Sequence, residues 1–117
     1  MKLEALRSYC ISLPHVTESV QWGDHLVFKI GGKVFCIMSG EDPVSASLKV
    51  EEETFFELTE RNNIVQAPYL AKKQWVLVEK PGALKADEWK FYIHNSYRLI
   101  AAKLTKKLQK ELGLSDL

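Results

Sequence analysis

Lysines recur near the end of the chain at a spacing that suits contacts with phosphate. At about 100° of rotation per residue, one side of a predicted C-terminal helix carries four of them: Lys103, Lys106, Lys107 and Lys110. Lys72 and Lys73 lie on a predicted loop before Trp75, and Arg98 lies on another side of the helix. Flexible cationic side chains are sufficient to neutralise nucleic-acid phosphates. The same lysines also fit a solvated helix end, where cations complement the helix dipole.

Other reactive residue types are scattered rather than grouped. They are three histidines, three nucleophiles and an acidic helix start: His15, His25 and His94; Ser39, Ser96 and Cys36; residues 51–53. The histidines lack carboxylates or cysteines at metal-ligand spacing, and no nucleophile lies in a glycine elbow or a phosphate loop. Runs of carboxylates at the start of a helix usually face solvent. We therefore predict a non-enzymatic protein with no metal and no cofactor.

Length and composition predict one globular domain over residues 1–117. Hydrophobic residues make up 46% and charged residues 26%, which is typical of a chain with its own core. The 16 basic and 15 acidic side chains leave a net charge of +1, so overall charge favours no class of partner. With no signal-peptide pattern and no apolar run of about 20 residues, we expect a cytoplasmic protein without a membrane segment. Cys10 and Cys36 lie among apolar neighbours and are expected to be buried reduced thiols, with a disulfide as the alternative.

Residues 22–38 predict a β-hairpin at the centre of the fold. Two apolar runs flank Gly31 and Gly32, and glycine accepts the positive φ angles that a type I′ turn requires. The two-residue turn predicts three cross-strand pairs: Ile30 with Lys33, Phe28 with Phe35, and Leu26 with Ile37. The face formed by the apolar members of these pairs is expected to be buried. The opposite face is expected to be partly exposed and carries Val27, Lys29, Val34, Cys36 and Met38.

The rest of the chain predicts helices before, within and after an antiparallel sheet. Apolar residues recur at helical spacing over residues 2–13, and a short second helix is predicted over residues 51–61. Together with the hairpin, three further segments predict about five strands: residues 17–22, 45–50 and 74–78. Apolar periodicity over residues 86–108 predicts one long last helix, which ends at Gly113. The first and last helices are expected to cover one face of a twisted sheet in a two-layer α+β fold.

Short motifs spread along the chain resemble those of a known family. They are Leu13-Pro14 before Val16-Thr17-Glu18, Trp22-Gly23, Phe28-Lys29, Gly32-Lys33 with Phe35, Leu48-Lys49, Pro68-Tyr69-Leu70 with Lys72-Lys73 and Trp75, and Ser96-Tyr97 with Leu99, Lys103-Leu104 and Lys106-Lys107. On these motifs the chain is similar to the MmcQ/YjbR-like family of small bacterial proteins. His15 departs from the pattern, because a glycine is common at that position.

The resemblance implies a frataxin-like (CyaY-like) architecture and DNA binding through a double-wing motif. It directs attention to Lys72, Lys73, Trp75, Ser96, Tyr97 and Lys103. Iron chemistry does not follow from it, because the first helix carries a single acid, Glu4. We therefore expect a monomeric domain that binds the backbone of double-stranded DNA through Lys72, Lys73, Lys103, Lys106 and Lys107, with Lys29 and Lys33 flanking a hairpin tip that acts as a wing. The alternative is a domain that binds a protein or a small molecule at the open face of the sheet.

Overall fold

A single antiparallel sheet organises the protein, whose computed structural model describes residues 1–114. In chain order the described elements are α1 (Leu3–Ser12), β1 (Val16–Gln21), β2 (His25–Ile30), β3 (Lys33–Met38), β4 (Ala46–Lys49), α2 (Glu52–Thr59), β5 (Ile64–Gln66), β6 (Trp75–Val78), a short 3₁₀ helix (Pro81–Ala83), α3 (Ala86–Ala101) and α4 (Lys106–Glu111). The six strands lie in the order β1-β2-β3-β4-β6-β5. None of the helices within residues 1–114 has the length and apolar character that crossing a membrane requires.

The helices cover one face of the sheet, which confirms the two-layer α+β prediction. α1 packs against β1 and α3, α3 packs against β2, β3 and β4, and α2 packs against β5 and β6. The apolar stripe of α3 supplies several of the largest core side chains, including the fully buried Trp89 and Ile93. The sheet has six strands rather than about five. The additional strand, β5, has only three residues and lies at the sheet edge, so its sequence pattern was too short to predict it.

The turn between α1 and β1 gives a physical reason for the glycine that is common at position 15. His15 has a φ of 63°, in the left-handed region that glycine enters without steric cost. Pro14 precedes it, and the carbonyl of Pro14 accepts a 2.8 Å hydrogen bond from the Tyr97 hydroxyl on α3. The side chain of Tyr97 therefore anchors this turn to the helical layer, and burial raises the pKa of its phenol.

The central hairpin forms at the predicted turn but continues in a different register. Gly31 and Gly32 have φ angles of 58° and 81°, and Ile30 pairs with Lys33 as predicted. Beyond the turn the register shifts, so that three pairs follow: Lys29 with Val34, Phe28 with Cys36, and Leu26 with Met38. The predicted pairs of Phe28 with Phe35 and of Leu26 with Ile37 are therefore wrong.

A β-bulge at Phe35 causes this shift, and Ser96 of α3 fills the gap that the bulge opens. The Ser96 hydroxyl donates to the Phe35 carbonyl at 2.6 Å and accepts from the Lys49 N–H at 2.9 Å. In an unbroken antiparallel ladder the Lys49 N–H would bond to the Phe35 carbonyl directly. The bulge also turns Cys36 and Met38 into the core, where both are fully buried, and places Ile37 half-buried on the opposite face. The predictions of partial exposure for Cys36, Met38 and Val27, which is also fully buried, and of a buried Ile37 are therefore wrong.

The predicted long last helix is broken into α3 and α4. The Thr105 hydroxyl accepts a 3.1 Å hydrogen bond from the Leu108 N–H and so caps the start of α4. The Gln109 amide donates to the carbonyls of Ala101 and Ala102 at 3.0 and 3.2 Å, which satisfies the open end of α3. The helical segment ends at Gly113, as predicted, with a φ of 70°.

Candidate nucleic-acid interface

The strand register brings the predicted lysines to one end of the sheet, which we call the basic end. The β2–β3 turn at Gly31 marks this end, and Lys49 closes β4 beside Trp75, the first residue of β6. Lys72 and Lys73 directly precede β6, so they lie at the same end. The structure therefore gathers at one end residues that are far apart in sequence, while their role in binding stays a prediction.

The hairpin tip is docked on the connection between α3 and α4 rather than projecting freely. A Cβ atom built at Gly31 would lie 2.6 Å from Leu104 Cδ1 and 3.1 Å from Leu108 Cδ2. This contact holds the two lysines of the hairpin, Lys29 and Lys33, close to the chain segment that carries Lys103, Lys106 and Lys107. A wing role for the tip would accordingly involve Gly32, which is exposed, and not Gly31.

Most of the predicted lysines present free charges to solvent. Six are exposed and one, Lys29, is half-buried; the exposed ones are Lys33, Lys72, Lys73, Lys103, Lys106 and Lys107. Within residues 1–114, carboxylates pair with Arg7, Arg61 and His25, and with none of these lysines. Lys73 Nζ lies 5.8 Å from the centroid of the Phe56 ring, a weak contact at an exposed position.

Lys49 is the residue of this end that sequence reasoning missed. Only 8% of its surface is exposed, and its Nζ donates a 2.9 Å hydrogen bond to the Gln74 amide oxygen. Burial and the adjacent ammonium of Lys103 lower the pKa of Lys49 to about 8. Alternation along β4 predicts an outward-facing lysine here, but it contains no sign of the contact with Lys103, which is distant in sequence.

Two neighbouring ammonium groups make this part of the basic end a favourable place for an anion. A charge that leaves water is destabilised unless an opposite charge or hydrogen bonds replace the lost hydration. Lys49 has one hydrogen bond to a neutral amide and, among the described residues, no carboxylate partner. A phosphate between Lys49 and Lys103 would replace their repulsion by two attractions, and it would raise the pKa of Lys49 again.

Acidic residues limit the basic end on one side. Glu51, Glu52 and Glu53 follow Lys49 at the start of α2, where the helix dipole favours them. Glu51 also lines a crevice of about 390 Å³ with Arg98 of α3, and its carboxylate lies 3.5 Å from the Asn95 amide nitrogen. Because these carboxylates repel phosphate, the anion-binding surface is confined to the side of the hairpin tip and α4.

Ser96 and Tyr97, to which the family resemblance directed attention, are structural residues. Ser96 is fully buried between β3 and β4, and Tyr97 packs edge-on against Phe35 with ring centroids 5.5 Å apart. The two cysteines are free and buried as expected, and burial beside Cys10 holds the pKa of the Cys36 thiol well above its usual range. The described residues contain no group of three metal-binding side chains.

Comparison with known proteins agrees with this architecture. A sequence profile of the YjbR family matches residues 11–99. The chain belongs to the YjbR family. A crystal structure of Deinococcus radiodurans protein DR2400, which has a DUF419 domain, is 35% identical to this YjbR chain with a TM-score of 0.89, covering 98% of this chain and 90% of that one. No curated protein matches the sequence.

A second solved structure supports the YjbR fold alone. It is a protein from Pseudomonas syringae that is 21% identical, with a TM-score of 0.70, and the match covers 86% of this chain and 99% of that one. At such low identity, similar architecture carries no argument about function. The function of this YjbR domain therefore depends on its own side chains.

Proposed function

We propose that this YjbR domain is a non-enzymatic protein that binds double-stranded DNA through backbone phosphates at the basic end. The observation that carries the proposal is the cluster of exposed lysines without a carboxylate partner in residues 1–114, which docking of the hairpin tip on Leu104 holds together and which includes the pair formed by Lys49 and Lys103. Exposed lysines around this pair extend the positive surface over the hairpin tip and α4. Contacts of this kind fix position on a duplex and read no sequence, so we expect binding with little sequence preference.

The proposed binding mode explains why the cations are grouped although the net charge is only +1. Acidic side chains are concentrated on α2 and at the start of α3, where Asp87 and Glu88 occupy the first turn. This separation gives the domain a positive end and a negative flank. A duplex would be attracted to the former and excluded from the latter, which fixes the orientation of the protein on DNA.

Charge reversal tests the proposal. We expect Lys106→Glu with Lys107→Glu to weaken binding to a labelled duplex by about tenfold or more at low salt, because two phosphate contacts become repulsions. Lys80→Glu with Lys90→Glu is the matched control, since both residues are exposed and lie toward the opposite end of the molecule. An equal loss in the two double variants would show that only overall charge matters, and no loss in either would remove the basic end as the interface.

A second candidate function is binding of a protein or a small molecule at the open face of the sheet. A cleft on that face, with Ile37, Ser47 and Leu77 in its lining, favours this alternative as an additional site. The absence of enzymatic activity, a monomeric state and a cytoplasmic location stay predictions from the sequence.

A further inference from the structure

The face of the sheet opposite the helices carries a cleft of about 590 Å³. This volume falls within the range of small-ligand sites. The floor is formed by strand residues such as Ile37, Ser47 and Leu77, and the rim by Trp22 at the β1–β2 turn and Tyr69 on the loop after β5. The lining is mainly apolar, and its polar side-chain groups are two serine hydroxyls, the ring nitrogens of His25, the Tyr69 hydroxyl and the Trp22 indole N–H.

Two exposed aromatic residues on the rim are held in an unfavourable backbone conformation. Trp22 has a φ of 51° and Tyr69 a φ of 65°, values that residues other than glycine and asparagine rarely adopt. Trp22 is 64% exposed and Tyr69 is completely exposed, so neither ring contributes much to the core. Backbone strain of this kind clusters at functional sites. His15, Asn63 and Lys73 also have positive φ angles, and Trp22 and Tyr69 differ from them in presenting exposed aromatic rings at one cleft.

Charges of both signs lie near the cleft: the Asp24 carboxylate lies 3.9 Å from Nδ1 of His25 on the lining, and Lys49 lies beyond the floor. Glu18 is the one carboxylate in the six strands, and it lies on the helical side, where Arg7 binds it at 2.6 Å. Lys49 follows Ser47 in β4 at two residues' distance, about 7 Å along the strand, and its Nζ is hydrogen-bonded to Gln74. The distance between a ring in the cleft and a phosphate at Lys49 would thus be roughly the distance between the base and the phosphate of one nucleotide.

We propose that the cleft binds an unpaired base of a single-stranded nucleic-acid segment, stacked on Trp22 and Tyr69, with the adjoining phosphate at Lys49. The inference rests on the proposed function in that both sites share Lys49 and take nucleic acid. Aromatic platforms accept any base, because every base has a flat π face. A duplex that ends in a short single strand would then occupy the basic end and the cleft together.

The test compares three labelled DNAs with the full chain: a blunt duplex, the same duplex with a short thymidine overhang, and the same duplex with an overhang of abasic sites. The last two have equal charge and differ only in bases. We expect the thymidine overhang to bind about 5- to 100-fold more tightly than the abasic one. Trp22→Ala and Tyr69→Ala should remove this difference without changing affinity for the blunt duplex. Phe91→Ala is the matched control, since Phe91 is also 64% exposed but lies on α3.

Each outcome separates the cleft from the basic end. Binding of the blunt duplex with equal affinities for the two overhangs would overturn the cleft proposal and leave the proposed function intact. Base-dependent binding without blunt-duplex binding would support the cleft and overturn the duplex proposal. Tryptophan fluorescence gives a second readout, because Trp75 and Trp89 are buried and the exposed Trp22 should be quenched by a stacked base. Absence of Trp22 quenching when the duplex with the thymidine overhang binds would also overturn the cleft proposal.

Discussion

Replacement of Lys49 by methionine is expected to stabilise the fold while weakening its binding to DNA. Methionine keeps an unbranched apolar stem in the buried space but removes the charge. At neutral pH the wild-type ammonium is charged in a largely buried position beside Lys103, whereas in the unfolded chain it is fully hydrated. The folded state therefore bears an electrostatic cost that Lys49→Met removes.

The size of this effect follows from the pKa. A decrease from 10.5 to about 8 sets an upper limit of about 3 kcal/mol on the cost of the charged form in the folded protein. Solvent reaches part of the side chain, so we reduce this to about 1–2 kcal/mol. Loss of the hydrogen bond to Gln74 lowers the gain in unfolding free energy by about 0.5–1 kcal/mol. The net expectation at pH 7 is a gain of about 1 kcal/mol in unfolding free energy, or about 4 °C in melting temperature.

The pH dependence of the stability difference between wild type and Lys49→Met identifies the buried charge as its cause. Between pH 8 and 10.5 the unfolded chain keeps the Lys49 proton while the folded wild type releases it, so wild-type stability rises relative to Lys49→Met across this window. Below pH 8 the difference between the two proteins is constant. Urea unfolding at several pH values from 6 to 10 measures this directly, and other titrating groups cancel in the comparison.

Lys103→Met tests whether repulsion between Lys49 and Lys103 contributes to the electrostatic cost in the folded state. Because Lys103 is exposed, its removal should relieve the repulsion without opening a cavity. The double variant should gain less than the sum of the single gains, since the repulsion is removed only once. Lower stability of Lys49→Met at pH 7, or a difference that does not change between pH 8 and 10, would refute the reasoning.

Three further predictions concern the fold. In urea unfolding, Gly31→Ala should lower the unfolding free energy by about 2–4 kcal/mol and Gly32→Ala by only about 1 kcal/mol. Both glycines have positive φ, but only at Gly31 would a Cβ atom collide with Leu104. Equal effects of the two substitutions would contradict the docked hairpin tip. Ser96→Ala should cost about 2–4 kcal/mol, since it leaves two buried backbone groups of the β3–β4 ladder unpaired, and a neutral effect would show that the ladder closes without it. Cys10 and Cys36 should resist alkylation at pH 8 until the protein unfolds, because burial keeps the Cys36 thiol protonated; modification of the native protein, detected by mass spectrometry, would contradict this.

Local pattern predicted the elements of this fold better than their exact pairing. The glycine pair predicted the hairpin and its first pair because the turn depends only on neighbouring residues. The bulge at Phe35 depends on Ser96, which lies 61 residues away in sequence. The break after α3 was hidden because Leu104 and Leu108 continue the apolar periodicity across it, while Thr105 and Gln109 supply the caps that make two helices possible.

The candidate site was predictable as a set of exposed lysines but not as an arrangement. Residue type alone indicated cations that suit phosphate, and the register then gathered them at one end of the sheet. Lys49 escaped notice because a lysine at the end of an alternating strand is ordinarily solvated. The rim of the cleft escaped notice because the left-handed conformations of Trp22 and Tyr69 have no signature in a single sequence.

The salt dependence of DNA binding tests the central claim most directly. If about four or five lysines of the basic end each displace a condensed counterion, the logarithm of the association constant should fall with the logarithm of salt concentration at a slope of roughly four. The slope should be the same for duplexes of unrelated sequence, and Lys49→Met should reduce it by about one. Fluorescence anisotropy with a labelled duplex between low and physiological salt provides the measurement. A slope below about one, or no binding at tens of micromolar protein in low salt, would contradict the account.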